Sequence, residues 1–244
     1  MIEFVREPFD SGLWKKEVYK FHVQPPFPNV LELREAIAKT RPDLLFAFVP
    51  FSPHIMETME DVGFHLISIR STYKLGIDAA KDAPPLPSGM RTVSLKDGFK
   101  VSDQDLHEMA VTIGSVSRYF RDRRIPPHQA LELYLTWIKN SLFNGYVQEA
   151  FLVLNDTRMV GLVTLKIKEG CGSIDLIGVS PSFQRSGIGS RLLWEAFHYF
   201  QSNGIKDIYV VTEGENISAN AFYQRKGFLL HDLALVYHMH PTYE

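Results

Sequence analysis

Apolar positions recur at helical spacing in "HQALELYLTWIKNSLF", where Leu131, Tyr134, Leu135, Ile138 and Leu142 share a face, so the pattern predicts a helix over 128–143. "SDQDLHEMAVTIG" predicts a helix before it, with Ser102 or Asp103 as cap. Strand patterns lie to either side: "MRTVSLK" upstream, then "EAFLVLN", "MVGLVTLKI" and "GSIDLIGV" in succession. A helix through "RLLWEAFHYFQSNG" follows and stops at Gly204. "DIYVVTE" then reads as a strand, "ISANAFYQRKG" as a helix ended by Gly227, and "FLLHDLALVYHM" as a last strand.

The same strand–helix–strand order occurs earlier, at an offset of 164 residues (Leu66 to Leu230). "DLLFAFVP" falls on "DIYVVTEG", and "METMEDVGFHLISIRSTYKL" falls on "NAFYQRKGFLLHDLALVYHM". Asp43, Gly63, Phe64, Leu66 and Tyr73 land on Asp207, Gly227, Phe228, Leu230 and Tyr237 without a gap. A repeated unit is therefore expected. "DAAKDAPPLPSG", residues 78–89, breaks every period with three prolines and a glycine and reads as a linker. It separates a shorter segment, 1–77, from a longer one, 90–244.

Composition narrows the functional classes. The 244 residues are 45% hydrophobic and 22% charged with a net charge of −2, so no global field points to nucleic acid or to a membrane surface. The most apolar run, "LLFAFVPF", is too short to span a bilayer, and "MIEFVREPFD" lacks the apolar core of a signal peptide; a cytoplasmic location is expected. One cysteine, Cys171, leaves no disulfide within the chain. No H-E-x-x-H or G-x-S-x-G motif occurs. The histidines of "HMH", 238–240, read as surface residues at a strand end, and no metal is expected.

The chemistry concentrates in "PSFQRSGIGSRLL", where Gly187 and Gly189 sit at the start of a helix. Glycine costs about 1 kcal/mol there relative to alanine. Bare backbone at a helix N-terminus suits an anion, because the first N–H groups are unpaired and the dipole is positive. A P-loop needs a Gly-Lys step, and the dinucleotide pattern needs a third glycine where Leu192 stands. The stretch Gln184, Arg185, Ser186, Gly187, Ile188, Gly189 instead resembles the Q/R-x-x-G-x-G/A signature of the GNAT acetyltransferases. "NISANAFYQRKGF" is similar to that family's second motif, with Asn216, Ala219, Phe222, Tyr223, Arg225, Gly227 and Phe228 in register. The resemblance covers about residues 90–240.

The resemblance implies an α/β (α+β) fold with a mixed central β-sheet flanked by helices, preceded by a truncated GNAT-like half over 1–77. It also implies acetyl-CoA, or another acyl-CoA, as cosubstrate. Its arm would lie between the splayed strands "SIDLIGV" and "DIYVVTE", against Ile177 and Val179, with the Gln184–Ser190 turn on its pyrophosphate and Asn216 on the arm. The Val179 amide would face the thioester oxygen. Tyr223 would be the general acid, its alternative being an aromatic packed under the last strand. Glu213 and Asp175 are the candidate bases, each equally readable as a solvated strand-end carboxylate.

The acceptor is read from "VSRYFRDRRIPP", where Arg118, Arg121, Arg123 and Arg124 lie close together with Tyr119 and Phe120 between them; a solvated basic helix end is the plainer alternative. A narrower similarity, to nucleotide-sugar N-acyltransferases of the TDP-fucosamine acetyltransferase type, rests on the truncated first half and on Tyr134, Trp137, Ile138 and Asn140. Leu133 departs from that pattern, and so does the full glycine turn. It implies a nucleotide-linked amino sugar as partner, held by Arg118, Tyr119, Arg121 and Trp137. Another small amine, a protein N-terminus, or a non-catalytic acyl-CoA-binding module stays open at this point. An exposed edge strand in either half leaves a homodimer open too.

Overall fold

The computed structural model describes residues 2–76 and 83–243. Of the expected linker, residues 78–82 lie outside the described residues. The first segment holds β1 (Val5–Arg6), α1 (Pro8–Trp14), β2 (Val18–His22), α2 (Val30–Thr40), β3 (Leu44–Val49), α3 (Pro53–Val62) and β4 (His65–Gly76). The second opens with β5 (Met90–Ser94), α4 (Asp103–Gly114), α5 (Arg118–Arg121) and α6 (Pro127–Phe143). It continues through β6 (Glu149–Asn155), β7 (Arg158–Lys168), β8 (Cys171–Val179), α7 (Ile188–Ser202), β9 (Asp207–Glu213), α8 (Ile217–Arg225) and β10 (Leu229–Met239). Ser102 is the cap of α4, its side chain accepting from the Asp105 amide at 3.0 Å. The one-turn α5 and a 3-10 turn at Pro181–Phe183 are too short to carry a period.

All described strands form one mixed sheet in the order β1-β2-β3-β10-β4-β9-β8-β7-β6-β5. Two neighbouring pairs are parallel, β2 with β3 and β8 with β9, each joined by a crossover helix. Alternate residues along the strands feed opposite faces. Leu44, Phe46 and Leu176 pack with α1, α4 and α6 on one face. Leu45, Ala47 and Tyr237 meet α2 and α3 on the other, where Val163 and Ile208 meet α7 and α8. The buried face of α6 is set by Leu133, Tyr134 and Ile138, with Leu131 and Leu135 at its margin.

The repeat is visible in the topology, with its last strands exchanged. β4 lies beside β9, and β10 lies beside β3, so each half is completed by the final strand of the other. The central β4–β10 ladder obeys the sequence offset. Leu66 pairs with Tyr237 as Leu230 pairs with Tyr73, and Arg70 pairs with its own counterpart, Ala234. Both ladder irregularities, at Leu230/Asp232 and Val236/Tyr237, are related by the same offset. The described strands of residues 2–76 therefore form one continuous sheet only with β10 between β3 and β4. Among the described residues no helix is long and apolar enough to cross a membrane.

Candidate active site

The parallel strands β8 and β9 stay paired only at Gly172–Ile208, Ser173–Tyr209 and Ile174–Val210. Asp175, the next residue, is skipped by the β7–β8 ladder, which jumps from Leu165–Ile174 to Thr164–Leu176. A bulge bends the strand that carries it. Beyond it β8 follows β7 alone as far as Val179, and the two parallel strands separate. The cleft opens at Asp175, on the C-terminal side of both strands, where parallel sheets place their ligands.

Below the cleft the chain turns through Arg185 at φ 60° and Gly187 at φ 92° into α7. No side chain caps that helix. Gly187 needs its glycine because φ 92° is left-handed space that a Cβ strains. At Gly189 the reason is proximity: an added Cβ would stand 3.4 Å from the Phe222 ring of α8. The Gln184 side chain donates to the Val179 carbonyl at 3.1 Å and ties the turn to the end of β8. Pro84 and Pro85 flank the turn, the former accepting from Arg191 at 3.3 Å, a contact that no sequence period announces.

The corresponding place in the first half is closed. β2 and β3 pair at five consecutive positions without separating. The N-terminus of α2 is filled by its own capping box, Asn29 Oδ1 accepting from the Glu32 amide at 3.0 Å and Glu32 Oε2 from the Asn29 amide at 2.9 Å. The orphan donors that α7 leaves free are thus used internally in α2. An acyl-CoA arm and pyrophosphate fit the second half and not the first.

Above the cleft is a cavity of about 330 Å³ lined by residues from both halves. Tyr223, Glu213, Asp175, Ile177, Asn216, Arg118, Tyr119 and Trp137 all reach its wall. Tyr223 is 3% exposed, and burial raises its phenol well above the ordinary value. Burial also raises the Glu213 carboxyl, against the opposing pull of Arg118, whose amide donates to Glu213 Oε1 at 3.1 Å. Asp175 is engaged: Lys166 Nζ lies 3.0 Å from Oδ1 and the Trp137 indole donates to Oδ2 at 2.8 Å. Asn216 caps α8, accepting from the Ala219 amide at 3.2 Å while its Nδ2 donates to Thr212 Oγ1 at 3.3 Å.

The basic cluster divides. Arg118 turns inward, its Nη2 donating to the Tyr119 hydroxyl at 2.7 Å, which donates on to Asp10 Oδ2 at 3.0 Å. Its guanidinium stands 4.9 Å from the centre of the Phe46 ring. Arg121 ends α5, is exposed and reaches back to the Val116 carbonyl at 3.4 Å; its charge acts on Glu213, but it is not among the residues that line the cavity. The residues that sequence reasoning missed are Asp10 and Arg70 of the first half. No local pattern marks them, since α1 and β4 reach the site through the tertiary exchange.

The histidine pair is a second correction. His238 is fully buried, and its Nδ1 is 2.9 Å from Asp122 Oδ2, as is His240 Nε2. The three donors could meet one ion, but Asp122 Oδ1 also accepts from Arg124 Nε at 2.9 Å, and that adjacent cation favours a hydrogen-bonded hub. Cys171 is the first residue of β8 and is free.

Comparison with known proteins agrees with this geometry. Residues 115–228 match the model of the Acetyltransferase (GNAT) family. An uncharacterized protein of Bacillus subtilis (strain 168), YxbD, is 32% identical over 94 residues, which is 38% of this chain and 58% of the relative. The spore coat polysaccharide biosynthesis protein SpsD of the same organism is 25% identical over 137 residues, 56% of this chain and 47% of the relative. The chain thus spans about half the length of these curated relatives. In fold, it is similar to a GCN5-related N-acetyltransferase from Sphaerobacter thermophilus, with a TM-score of 0.65 at 14% identity over 100% of this chain and 78% of that one. The bulge-opened cleft and the uncapped glycine turn both lie inside the segment, 115–228, that is similar to the GNAT acetyltransferase family model.

Proposed function

We propose that the protein is an acyl-CoA-dependent N-acyltransferase whose acceptor is the amino group of a nucleotide-linked amino sugar. The observation that carries the acceptor class is the pairing of Arg70 and Arg118 on one cavity wall. Burial and the neighbouring Arg118 both work against the Arg70 charge. An anionic acceptor relieves both, and guanidinium forks suit its phosphates. Tyr134 and Trp137, stacked with ring centres 5.8 Å apart, offer an aromatic wall for the sugar or base. The similarity to a polysaccharide biosynthesis protein supports the same class.

When bound, acyl-CoA supplies an activated thioester. The α7 turn holds its pyrophosphate through the free amides following Gly187, and the β8 backbone from Asp175 to Val179 holds its arm. Glu213 takes the proton from the attacking amine, its raised carboxyl being closer to the acceptor's own pKa than an exposed carboxylate. The amine nitrogen bonds to the thioester carbon, the carbon–sulfur bond breaks, and the Tyr223 hydroxyl gives its proton to the departing sulfur. Asp175, held by Lys166 and Trp137, positions the bulge and leaves the base role to Glu213.

The test is thiol release from acetyl-CoA with TDP-linked and UDP-linked amino sugars, spermidine and an aminoglycoside. Release with a nucleotide sugar, together with a KM for it raised about tenfold or more in Arg70→Met, is the expected outcome. Release with spermidine alone rejects the sugar acceptor and keeps the acyl transfer. No release from acetyl-CoA or a longer acyl-CoA rejects the transferase reading.

A further inference from the structure

A second cavity, of about 390 Å³, lies between the C-terminal ends of α2 and α3 and the chain that follows β10. Four segments bring cationic or titratable bases to it: Arg34 and Arg41 from α2 and its end, His65 from the start of β4, Arg124 after α5, and His240 after β10. No carboxylate occurs among its described lining residues. Each guanidinium has one partner that fixes it. Arg34 Nη2 donates to the Asp61 carbonyl at 2.9 Å, Arg41 stands 4.5 Å from the centre of the Tyr243 ring, and Arg124 Nε donates to Asp122 at 2.9 Å.

A guanidinium carries five N–H donors, and these anchors use only part of each fork. These three groups are exposed at the rim of one cavity, where an anion seated among them would meet donors from each. Asp122, which anchors Arg124, is already shared among Arg124, His238 and His240. We infer that this cavity is a binding site for a small organic phosphate, separate from the acceptor cavity and from the α7 turn. Planar forks from three directions match the oxygens of a phosphate or diphosphate, and the volume admits a small body attached to it.

The experiment is calorimetric titration of the full chain with inorganic pyrophosphate, after saturation with desulfo-coenzyme A to fill the α7 turn. Arg34→Gln and Arg41→Asn are made singly and together; asparagine suits the left-handed φ of 51° at position 41. Saturable binding that weakens about tenfold or more in the double variant is expected, with an unchanged Tm establishing that the fold is intact. The same binding in Arg70→Met separates this site from the acceptor cavity. No saturable binding at millimolar pyrophosphate overturns the inference. So does an affinity indifferent to Arg34 and Arg41, or one lost with Arg70.

Discussion

At the scale of single residues, Tyr223 is where packing and chemistry meet. Its ring lies in the core between Phe228 and Tyr73, with centres 5.5 and 6.0 Å away, yet it reaches the cavity wall. The aromatic-packing and general-acid readings are therefore both physical descriptions of one position. Substitution of Tyr223 by Phe keeps the packing and removes the proton. On the proposed mechanism kcat and kcat/KM fall together by about tenfold or more, while the dissociation constant for CoA stays within about twofold. Steady-state kinetics beside a CoA titration checks this, and an unchanged kcat assigns Tyr223 to packing alone. Tyr223 stood out in the sequence because the second motif runs through it. Arg70 did not, because an arginine in a strand has no signature until its neighbours are known.

At the scale of elements, α7 and α2 are the informative pair. Both follow a parallel strand, and both begin after glycine- or proline-rich chain, but their first turns are resolved differently. Asn29 and Glu32 satisfy α2 from within, whereas α7 starts at Gly187 without a side-chain cap. Gly187→Ala forces a Cβ into φ 92° at a cost of about 1–2 kcal/mol. The local shift also moves the amides that hold the pyrophosphate, so CoA affinity drops along with Tm. Gly204→Ala is the control: it has φ 72° with nothing within 4 Å of an added Cβ, costs a similar amount, and leaves CoA affinity unchanged. Thermal melts and CoA titrations of both variants decide between a cofactor turn and a merely structural one.

At the scale of the whole molecule, strand exchange makes the halves interdependent. β10 stands between β3 and β4, and its His238 is bonded to Asp122 behind α5, so the last strand joins the sheet of one half to the helical layer of the other. Burial outweighs Asp122 and holds the His238 pKa down at about 4, against about 6.5 in an unfolded chain. The neutral ring is thus favoured in the fold. As pH falls through 6.5 the unfolded state takes up the proton first, and stability declines until the folded ring titrates near 4. Between pH 7 and pH 5 the loss is on the order of 2 kcal/mol. Denaturant melts at both values are expected to show this decline, and His238→Gln is expected to flatten it. A decline of equal slope in the variant removes His238 as its source.

What the sequence determined by itself is what short-range physics writes locally. Apolar spacing marked the long helices, glycine and proline marked the turns, and the two motifs marked the α7 turn and, at the cavity, Asn216, Ala219 and Tyr223. The repeat was legible for the same reason, as a local pattern stated twice. The partner of each repeated strand was not, because a repeated pattern leaves open which copy each final strand joins, and the closed sheet pairs β10 with β3 and β4 with β9. From that selection follow Arg70 and Asp10 at the cavity, the inward turn of Arg118 with Arg121 left outside, and the burial of His238. Each depends on residues distant in sequence packing together, and a side chain's pattern along the chain does not encode which distant surface it will face.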